Sequence, residues 1–422
     1  MNSTAAAESS RSEWRLHWTL VLAAAIGFSF QSFMSPATGL FMGPLQDEFG
    51  WSRTLLSSGS AIGAAISLLL SPFFGVLIDR YGSRKLAIIG LSATSLSIAA
   101  FATMTGASFQ WLGLWFLFGL ASMTVHATTW TTAVASVFKA NRGLALGMTL
   151  AGSALASAIV APLTNFLIDG FGWRGAYIWL GLGWGGFALI LTILFLYDAH
   201  DGRRKAAIAA NVELSAAPEL PGLTISQAWQ DSSLWRVALA TLLTLTITIG
   251  ITVHQVPIII GTGISRTNAA WLASLAGIAG IVGKLVTGVL IDRFHVRWVG
   301  GLTLASTAIA YPLLMEPVRA TGLIIVAVMI NGYAAGTKLQ LCGYLTARYA
   351  GMRNYGAIFG FMSSLIALAA GLGPILAGLA FDNTGAYEPF LIGGIIISLV
   401  SAMLVFSLGK YPVFEEAAVR TE

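Results

Sequence analysis

The segment Gly-Val-Leu-Ile-Asp-Arg occurs twice in the sequence, at residues 75–80 and again at 288–293. The copies lie 213 positions apart in a chain of 422 residues, and each stands where a long apolar run meets a charged loop. The same offset pairs other residues of the chain, namely Gly50, Ser52 and Arg53 with Gly263, Ser265 and Arg266, Gly143 and Gly147 with Gly356 and Gly360, and Asp169 with Asp382. A constant offset over this distance predicts two halves built on one plan.

Composition places both halves in a membrane. Apolar residues form 56% of the chain and charged residues 10%, whereas a soluble domain has about 25% charged residues. The apolar runs are long and continuous, which favours helical spans of about 20 residues over the alternating strands of a membrane barrel. Twelve spans are predicted, at residues 17–42, 54–78, 85–104, 109–136, 143–168, 175–197, 235–258, 267–291, 298–315, 320–345, 356–380 and 387–408. The expected fold is an all-α membrane protein with two pseudo-symmetric six-helix halves, which commonly create a substrate site between them.

The loops divide and orient this chain. We expect a polar tail at 1–16, a first half at 17–197, a cytoplasmic linker at 198–234, a second half at 235–408 and a tail at 409–422. Residues 224–231 of the linker are predicted to form a short helix on the inner membrane face. Twelve spans leave Arg53, Arg174, Arg266 and Arg319 on one side and the other loop cations opposite, and an excess of Lys and Arg marks the cytoplasmic side. Both termini are then cytoplasmic, and the net charge of +5 reflects topology and does not indicate nucleic-acid binding.

Charged residues are nearly missing from the middle of the predicted spans. All 18 acidic residues fall in tails, loops or span ends, and of 23 Lys and Arg residues only Lys284 and Lys338 lie well inside a span. A cation at this depth costs about 2.5–3.5 kcal/mol on insertion scales. Because no mid-span carboxylate can pair with them, the expected counter-charge is a bound anion. The alternative is that each lysine extends to the inner surface or bonds a backbone carbonyl.

Other polar residues in apolar runs are candidates for shaping this site. His126 lies near the middle of the fourth span and His254 near the outer end of the seventh, and histidine titrates near neutral pH. Both are candidate proton carriers, the alternative being a histidine satisfied by a neighbouring hydroxyl or backbone group. Gln31, Tyr333 and Gln340 are expected to line the anion site with His126. Exchange of one anion for another needs no proton carrier and stays open.

The loop after the second span carries a recognisable motif. Gly75-x-x-x-Asp79-Arg80-x-Gly82-x-Arg84-Lys85 resembles the signature loop of the major facilitator superfamily, and a shorter copy follows at Gly288, Asp292 and Arg293. The resemblance implies the major facilitator fold, with spans 1, 4, 7 and 10 lining the cavity. It also implies an inner-face gating network, the alternative being that these charges only anchor loops. The gating candidates are Gly75, Asp79, Arg80, Arg84, Arg142, Asp292 and Arg293.

Three further segments narrow the resemblance. Residues 138–147, 49–53 and 348–356 are similar to the monocarboxylate and oxalate/formate transporter group within that superfamily. Several positions depart from the group's pattern. The first span lacks the cation that its members often carry, and the tenth reads Gly336-Thr337-Lys338-Leu339-Gln340 where some bacterial relatives carry acids. Lys284 stands where many relatives have an arginine, four residues before the glycine of the second signature.

Together these features predict a secondary active transporter and not an enzyme. The expected substrate is a small organic anion, a carboxylate, taken up with protons by alternating access. We expect a monomer in the inner (plasma) membrane, with no cofactor, no metal and, for lack of a P-loop pattern, no use of ATP. The single cysteine, Cys342, excludes an internal disulfide and is expected in the core. Two alternatives are an exporter of hydrophobic compounds and a membrane sensor that binds its ligand without moving it.

Overall fold

The computed structural model describes residues 2–138, 142–197, 221–315, 320–351 and 353–412, without the side chains of residues 2–12, 71, 72, 75, 76, 79, 142, 143, 292 and 356. Short 3-10 turns at Phe101–Thr103, Met123–Val125 and Pro312–Leu314 and a π-helical turn at Trp179–Trp184 join some of the helices. The α-helices are α1 (Asn2–Ser32), α2 (Met34–Phe49), α3 (Arg53–Tyr81), α4 (Ser83–Ala100), α5 (Ser108–Ser122), α6 (Ala127–Val137), α7 (Arg142–Ile178), α8 (Gly185–Phe195), α9 (Ile225–Gln230), α10 (Ser232–Gly261), α11 (Arg266–Arg293), α12 (Val296–Ala310), α13 (Thr321–Ala350), α14 (Tyr355–Thr384) and α15 (Glu388–Phe406).

Helix boundaries repeat with the offset found in the sequence. Four pairs of helices begin 213 positions apart, namely α3 and α11, α4 and α12, α5 and α13, and α7 and α14. Gly172, whose φ of 69° kinks α7, is paired in the same way with Gly385, whose φ of 75° follows the end of α14. Both positions favour glycine because a side chain disfavours positive φ. The predicted all-helical fold with repeated halves is confirmed.

Within the described ranges, ten helical stretches are long and apolar enough to cross a membrane, whereas twelve spans were predicted. The difference arises at two places. Leu144–Phe195 is one continuous stretch, because a kink at Gly172 and not a loop separates the fifth and sixth predicted spans. In the ninth predicted span, α12 has only 15 residues and then gives way to the Pro312–Leu314 turn.

The chain forms two compact units. The first comprises Met1–Trp51 and Ile62–Glu213, and the second comprises Ser52–Ala61 and Leu214–Glu422. In the first unit α1 packs against α7 and α8, and α4 packs against α5 and α8. In the second unit α10 packs against α14, α11 against α13 and α12 against α15. The first turns of α3 therefore belong to the second unit, although they come early in the chain.

The end of the predicted linker folds as expected. Helix α9 begins with a capping box in which Thr224 and Gln227 exchange side-chain-to-backbone hydrogen bonds, and these satisfy free N–H groups at the helix start. The preceding residue Leu223 donates its N–H to the carbonyl of Ala350 at 2.8 Å. The predicted short helix is confirmed, while its position on the membrane face stays a prediction. Linker residues 198–220 lie outside the described residues.

Candidate functional site

The ammonium of Lys338 on α13 is buried inside the second unit. The residue is 3% exposed, and its Nζ donates a 2.6 Å hydrogen bond to the Thr248 hydroxyl on α10. That hydroxyl donates its own hydrogen to the Thr244 carbonyl at 2.7 Å, so its oxygen accepts from the lysine. No carboxylate among the described residues pairs with Lys338. An ammonium carries three donors, so one hydroxyl leaves donor capacity unused.

A cavity of about 20 Å³ adjoins Lys338 between α10, α12, α13 and α15. The Thr244 hydroxyl is buried without a hydrogen-bond partner among the described residues, and Thr244 is one of the residues that line this cavity. The volume suits one water molecule, which needs about 10–15 Å³. An organic anion does not fit the cavity as it stands. Anion binding at Lys338 therefore requires the lysine to leave Thr248 or the surrounding helices to separate.

Glycines set the register between α11 and α13. A Cβ on Gly336 would come within 2.2 Å of the Gly280 carbonyl oxygen, and one on Gly288 would lie 3.4 Å from the Gln340 amide nitrogen. Small residues permit such close approach between membrane helices. Because both residue numbers rise together, the two helices run parallel, with residue 280 beside 336 and residue 288 beside 340.

This register places Lys284 at about the level of Lys338. The Lys284 side chain is exposed, and it makes no hydrogen bond or ion pair with any described residue. The two lysines thus differ in environment: one ammonium is bonded to α10 in the interior, and the other is accessible. The structure does not bring them into contact.

Tyr333 and Gln340 lie on a different face of α13 from Lys338. They are seven residues apart and thus on one helical face, and the Tyr333 hydroxyl is 3.0 Å from that of Thr287 on α11. Tyr333 also lines an apolar groove of about 850 Å³ between α11, α12 and α13. This groove is larger than the cavity at Lys338, but its apolar walls offer an anion little, so its size does not make it the candidate site.

The first unit contains an interruption that the sequence did not reveal. The fourth predicted span is not one helix: α5 ends at Ser122, a 3-10 turn follows, and His126 adopts extended backbone angles of φ −61° and ψ 164° before α6 begins. The half-buried His126 ring makes no hydrogen bond with a described residue. The start of α6, with free N–H groups and the positive end of its dipole, thus lies within the span.

Side chains of α6 hold this interruption in place. The Trp130 indole donates to the Val125 carbonyl at 2.8 Å, and the Thr129 hydroxyl donates to the Thr124 carbonyl at 2.8 Å. Trp130 is fully buried against α1, where a Cβ on Gly27 would come within 2.2 Å of the ring. These bonds satisfy carbonyls that the broken helix leaves free, which a span in lipid requires.

His254 on α10 is completely buried and has partners on three sides. Its Nδ1 lies 2.8 Å from the Tyr387 hydroxyl, and its Nε2 lies 2.9 Å from the Ser57 hydroxyl and 3.0 Å from the Pro374 carbonyl oxygen. Every one of these residues belongs to the second unit, because residues 52–61 do. The ring is therefore fixed by the fold, in contrast to the unbonded ring of His126.

The remaining predicted residues are scattered. Gln31 is half-buried in the first unit beside Ser32, whose hydroxyl lies 3.5 Å from the Gln31 amide oxygen. Arg84 donates to the Ile193 carbonyl at 2.9 Å, and Arg80 and Arg293 are exposed. The side chains of Asp79, Arg142 and Asp292 and the surroundings of Gly75 lie outside the described residues. The gating role of these residues stays a prediction.

Sequence reasoning missed the partners of both buried basic residues. The sequence did contain a pattern that could have identified Thr248, because threonines at 241, 244, 248 and 252 recur along one face of α10. The contact between Ser57 and His254 had none, since 197 positions separate the two residues. Long-range contacts of this kind follow from tertiary packing and leave no periodicity in the sequence.

Two repeat-related sets of apolar helices, with intramembrane cations that have no acid partner among the described residues, are typical of a multi-pass membrane transporter. A family model described as Major Facilitator Superfamily matches residues 19–262 and 248–420. The chain belongs to that superfamily, so it is a transporter and not an enzyme, and monocarboxylate transporters are among the proteins that it resembles. Monocarboxylate transporter 2 of Rattus norvegicus is 23% identical, over 96% of this chain and 85% of that protein. Monocarboxylate transporter 11 of Homo sapiens is 27% identical, over 90% and 81% respectively.

Solved structures show the same fold. A D-xylose-proton symporter superposes with a TM-score of 0.73 at 12% identity, covering 92% of this chain and 97% of that one. A bacterial homologue of the human lysosomal transporter Spinster, in an inward-facing and unoccupied conformation, gives a TM-score of 0.69 at 13% identity, covering 92% and 95%. At identities this low, the structural similarity supports a shared fold and gives no information about the substrate.

Proposed function

We propose that this transporter takes up a small organic anion, a carboxylate, together with protons, by alternating access in the plasma membrane with both termini cytoplasmic. The observation that carries the proposal is the buried ammonium of Lys338, which has a hydroxyl partner and no carboxylate among the described residues. A buried cation without a counter-charge is costly. A substrate carboxylate supplies that charge. The relatives, described as monocarboxylate transporters, support the same class of substrate.

The second unit supplies the cations in this proposal. Lys284 is accessible and meets the anion first, and Lys338 binds it when its ammonium leaves Thr248. Tyr333 and Gln340 shape the approach along the α11 face of α13. The two lysines are near one level on neighbouring parallel helices, which supports a shared role.

The first unit supplies a dipole. Broken membrane helices direct the positive ends of their half-helices at anionic groups in several transporter folds, and the break at His126 offers such an end. Gln31 provides an amide in the same unit. Protons are carried by His126 or His254, because histidine is the side chain whose unperturbed pKa lies nearest to neutral pH. The signature-loop charges gate the inner face.

The test begins with binding. Purified protein is screened against short-chain and aromatic carboxylates by thermal unfolding, because a ligand at 100 times its Kd stabilises the folded state by about 2.7 kcal/mol. Hits are then tested for uptake into proteoliposomes with and without an inward proton gradient. Lys284→Ala should abolish binding of the hit, and Lys284→Arg should retain it.

Three results would separate the alternatives. Stabilisation by hydrophobic cations and none by carboxylates would favour an exporter of hydrophobic compounds. Binding without accumulation would favour a sensor. Uptake driven by a trapped internal anion, independent of the proton gradient, would replace proton coupling with anion exchange.

A further inference from the structure

We infer that neutral His254 holds the first turns of α3, residues 52–61, against α14 and α15, and that a proton on its Nδ1 releases them. The inference deepens the proton-coupling part of the proposed function and names how a proton would act at this histidine. It is carried by the directions of the hydrogen bonds around the ring. Its test needs no substrate.

The donors and acceptors around His254 allow one neutral tautomer. The Pro374 carbonyl can only accept, so Nε2 carries the hydrogen. The Ser57 hydroxyl donates to the Arg53 carbonyl at 2.7 Å, so its oxygen also faces Nε2 as an acceptor. Nδ1 is then an acceptor and receives the hydrogen of the Tyr387 hydroxyl.

Tyr387 completes a directional chain of bonds. Arg53 donates from its guanidinium to the Tyr387 oxygen at 2.6 Å, so the tyrosine hydrogen is left to point at His254. The chain runs from Arg53 through Tyr387 and His254 to Ser57, whose hydroxyl returns to the backbone of Arg53. This chain of hydrogen bonds begins and ends on the first turns of α3. Those turns are therefore linked to both nitrogens of the imidazole, to Nδ1 through Tyr387 and to Nε2 through Ser57.

A second set of contacts docks the same turns. Asp382 at the end of α14 accepts the backbone N–H groups of Arg53 and Thr54 at 2.9 and 2.8 Å, capping α3 from another helix. The Arg53 guanidinium lies 3.4 Å over the Phe381 ring. A Cβ on Gly378 would come within 2.9 Å of the Arg53 backbone, which shows how closely α14 and α3 approach. The hydrogen bonds of His254 therefore act on a segment that these other contacts also hold against α14.

Protonation of Nδ1 breaks the chain at Tyr387. A hydrogen on Nδ1 would face an oxygen that already accepts from Arg53, and the tyrosine hydrogen would lose its acceptor. The charged groups acting on the ring are Arg53 from α3 and Asp382 from α14, with Tyr387 in contact and Glu388 beginning α15 beside it. The imidazolium would lie close to the Arg53 cation, while Asp382 is engaged with the α3 backbone. The charged ring thus disfavours the docked position of Arg53.

The experiment measures release of residues 52–61 directly. In a Cys342→Ala background, Leu56→Cys places a thiol at a fully buried position of this segment, and Asn383→Cys in a second protein gives an exposed reference. Maleimide labelling is followed by mass spectrometry between pH 7.5 and 5.0, and the rate at position 56 is divided by that at 383 to remove the intrinsic pH dependence of the reagent. We expect the ratio to rise at least about five-fold as the pH falls.

Two variants decide whether His254 is responsible. His254→Gln keeps an acceptor for Tyr387 and a donor for Pro374 but cannot be protonated, so the ratio should stay low at every pH. Tyr387→Phe frees Nδ1, so release should occur at higher pH than in the parent. A flat ratio in the parent protein would overturn the inference, as would an unchanged rise in folded His254→Gln. If His254→Gln does not fold, an unchanged release midpoint in Tyr387→Phe overturns it. Failure of anion transport would leave these outcomes unaffected.

Discussion

The fourth and tenth predicted spans are related by the 213-residue repeat, yet they present positive charge in different ways. The offset pairs His126 with Leu339, the residue beside Lys338. In the first unit the helix breaks at His126 and exposes the backbone N–H groups at the start of α6. In the second unit α13 runs unbroken from Thr321 to Ala350, and the side chain of Lys338 supplies the charge.

The difference shows that repeated halves can keep the same helix arrangement while different groups supply the positive charge. A broken helix gives about half a charge that cannot be titrated, whereas a lysine gives a full charge that can lose its proton. The broken helix depends on side-chain bonds to free carbonyls, and the lysine depends on one hydroxyl. Each dependence can be tested by removing a single group.

The largest effect is expected from removing the charge in the second unit. Lys338→Met deletes the ammonium at similar volume, and a bond to a charged group contributes about 1.5–3 kcal/mol, so initial uptake should fall at least about ten-fold. Folded-state stability should hold or rise, since replacing a buried charge by an apolar group is often neutral or stabilising. Leu339→Met, on the exposed side of the same turn, is the control. Uptake within two-fold of the parent would remove Lys338 from the site.

In the first unit, Trp130→Phe should destabilise the break. It leaves the buried Val125 carbonyl without its indole donor, at a cost of about 1–3 kcal/mol, seen as a lower Tm and slower uptake. Trp115→Phe is the matched control, because the buried Trp115 indole N–H has no partner in the part of the chain that the structure describes. That change should leave Tm unchanged or raise it. Equal losses in the two variants would show that ring volume, and not the hydrogen bond, maintains the break.

A smaller effect is expected from Thr248→Val, which should lower the stability of the ligand-free protein and increase the stabilisation that a bound ligand provides. The change removes the only described partner of the Lys338 ammonium, so the ligand-free protein should lose about 1 kcal/mol of stability. A bound anion would then be the ammonium's main partner, so ligand-induced stabilisation should increase. Thr246→Val on the same helix, where the hydroxyl bonds only the Leu242 carbonyl, is the control. A fall in anion affinity would mean that Thr248 positions the lysine for the substrate.

The smallest effect concerns another repeat-related pair, the residues that precede α4 and α12. Gly82 gives α4 no side-chain cap, whereas His295 accepts the Arg297 N–H through Nδ1 and stacks on Tyr411. Partial burial, then the cations Arg297 and Arg348, lower the pKa of His295. Its folded-state pKa is therefore below the ordinary value of about 6.5, so its contribution to stability is present above that pH and is lost as the pH falls below it.

His295→Gly makes the second copy resemble the first. Replacing a cap by glycine costs only a few tenths of a kcal/mol, so Tm at pH 7.5 should change little. The fall of Tm between pH 7 and 5 should become shallower than in the parent protein. Thermal unfolding across this range is the measurement, and an unchanged slope would assign the pH dependence to other groups.

Much of the architecture followed from the sequence alone. The repeat of Gly-Val-Leu-Ile-Asp-Arg and the apolar runs predicted helical halves of one plan, and helix starts 213 positions apart confirm it. The membrane environment explains this success, since each span must form its own backbone hydrogen bonds and can be recognised from its local composition. The place of Lys338 along α13 was also readable, because position along a helix follows directly from residue number.

Only the tertiary structure decided which partners the polar groups have. The direction of Lys338 toward Thr248, and not toward the Tyr333 face of α13, depends on how α10 and α13 pack. The break at His126 depends on the packing of the Trp130 ring against Gly27 of α1, where no side chain occupies the space. The enclosure of His254 depends on residues more than 100 positions away in the chain. Local periodicity reports which face of a helix is apolar, whereas hydrogen-bond partners are chosen by contacts between distant segments.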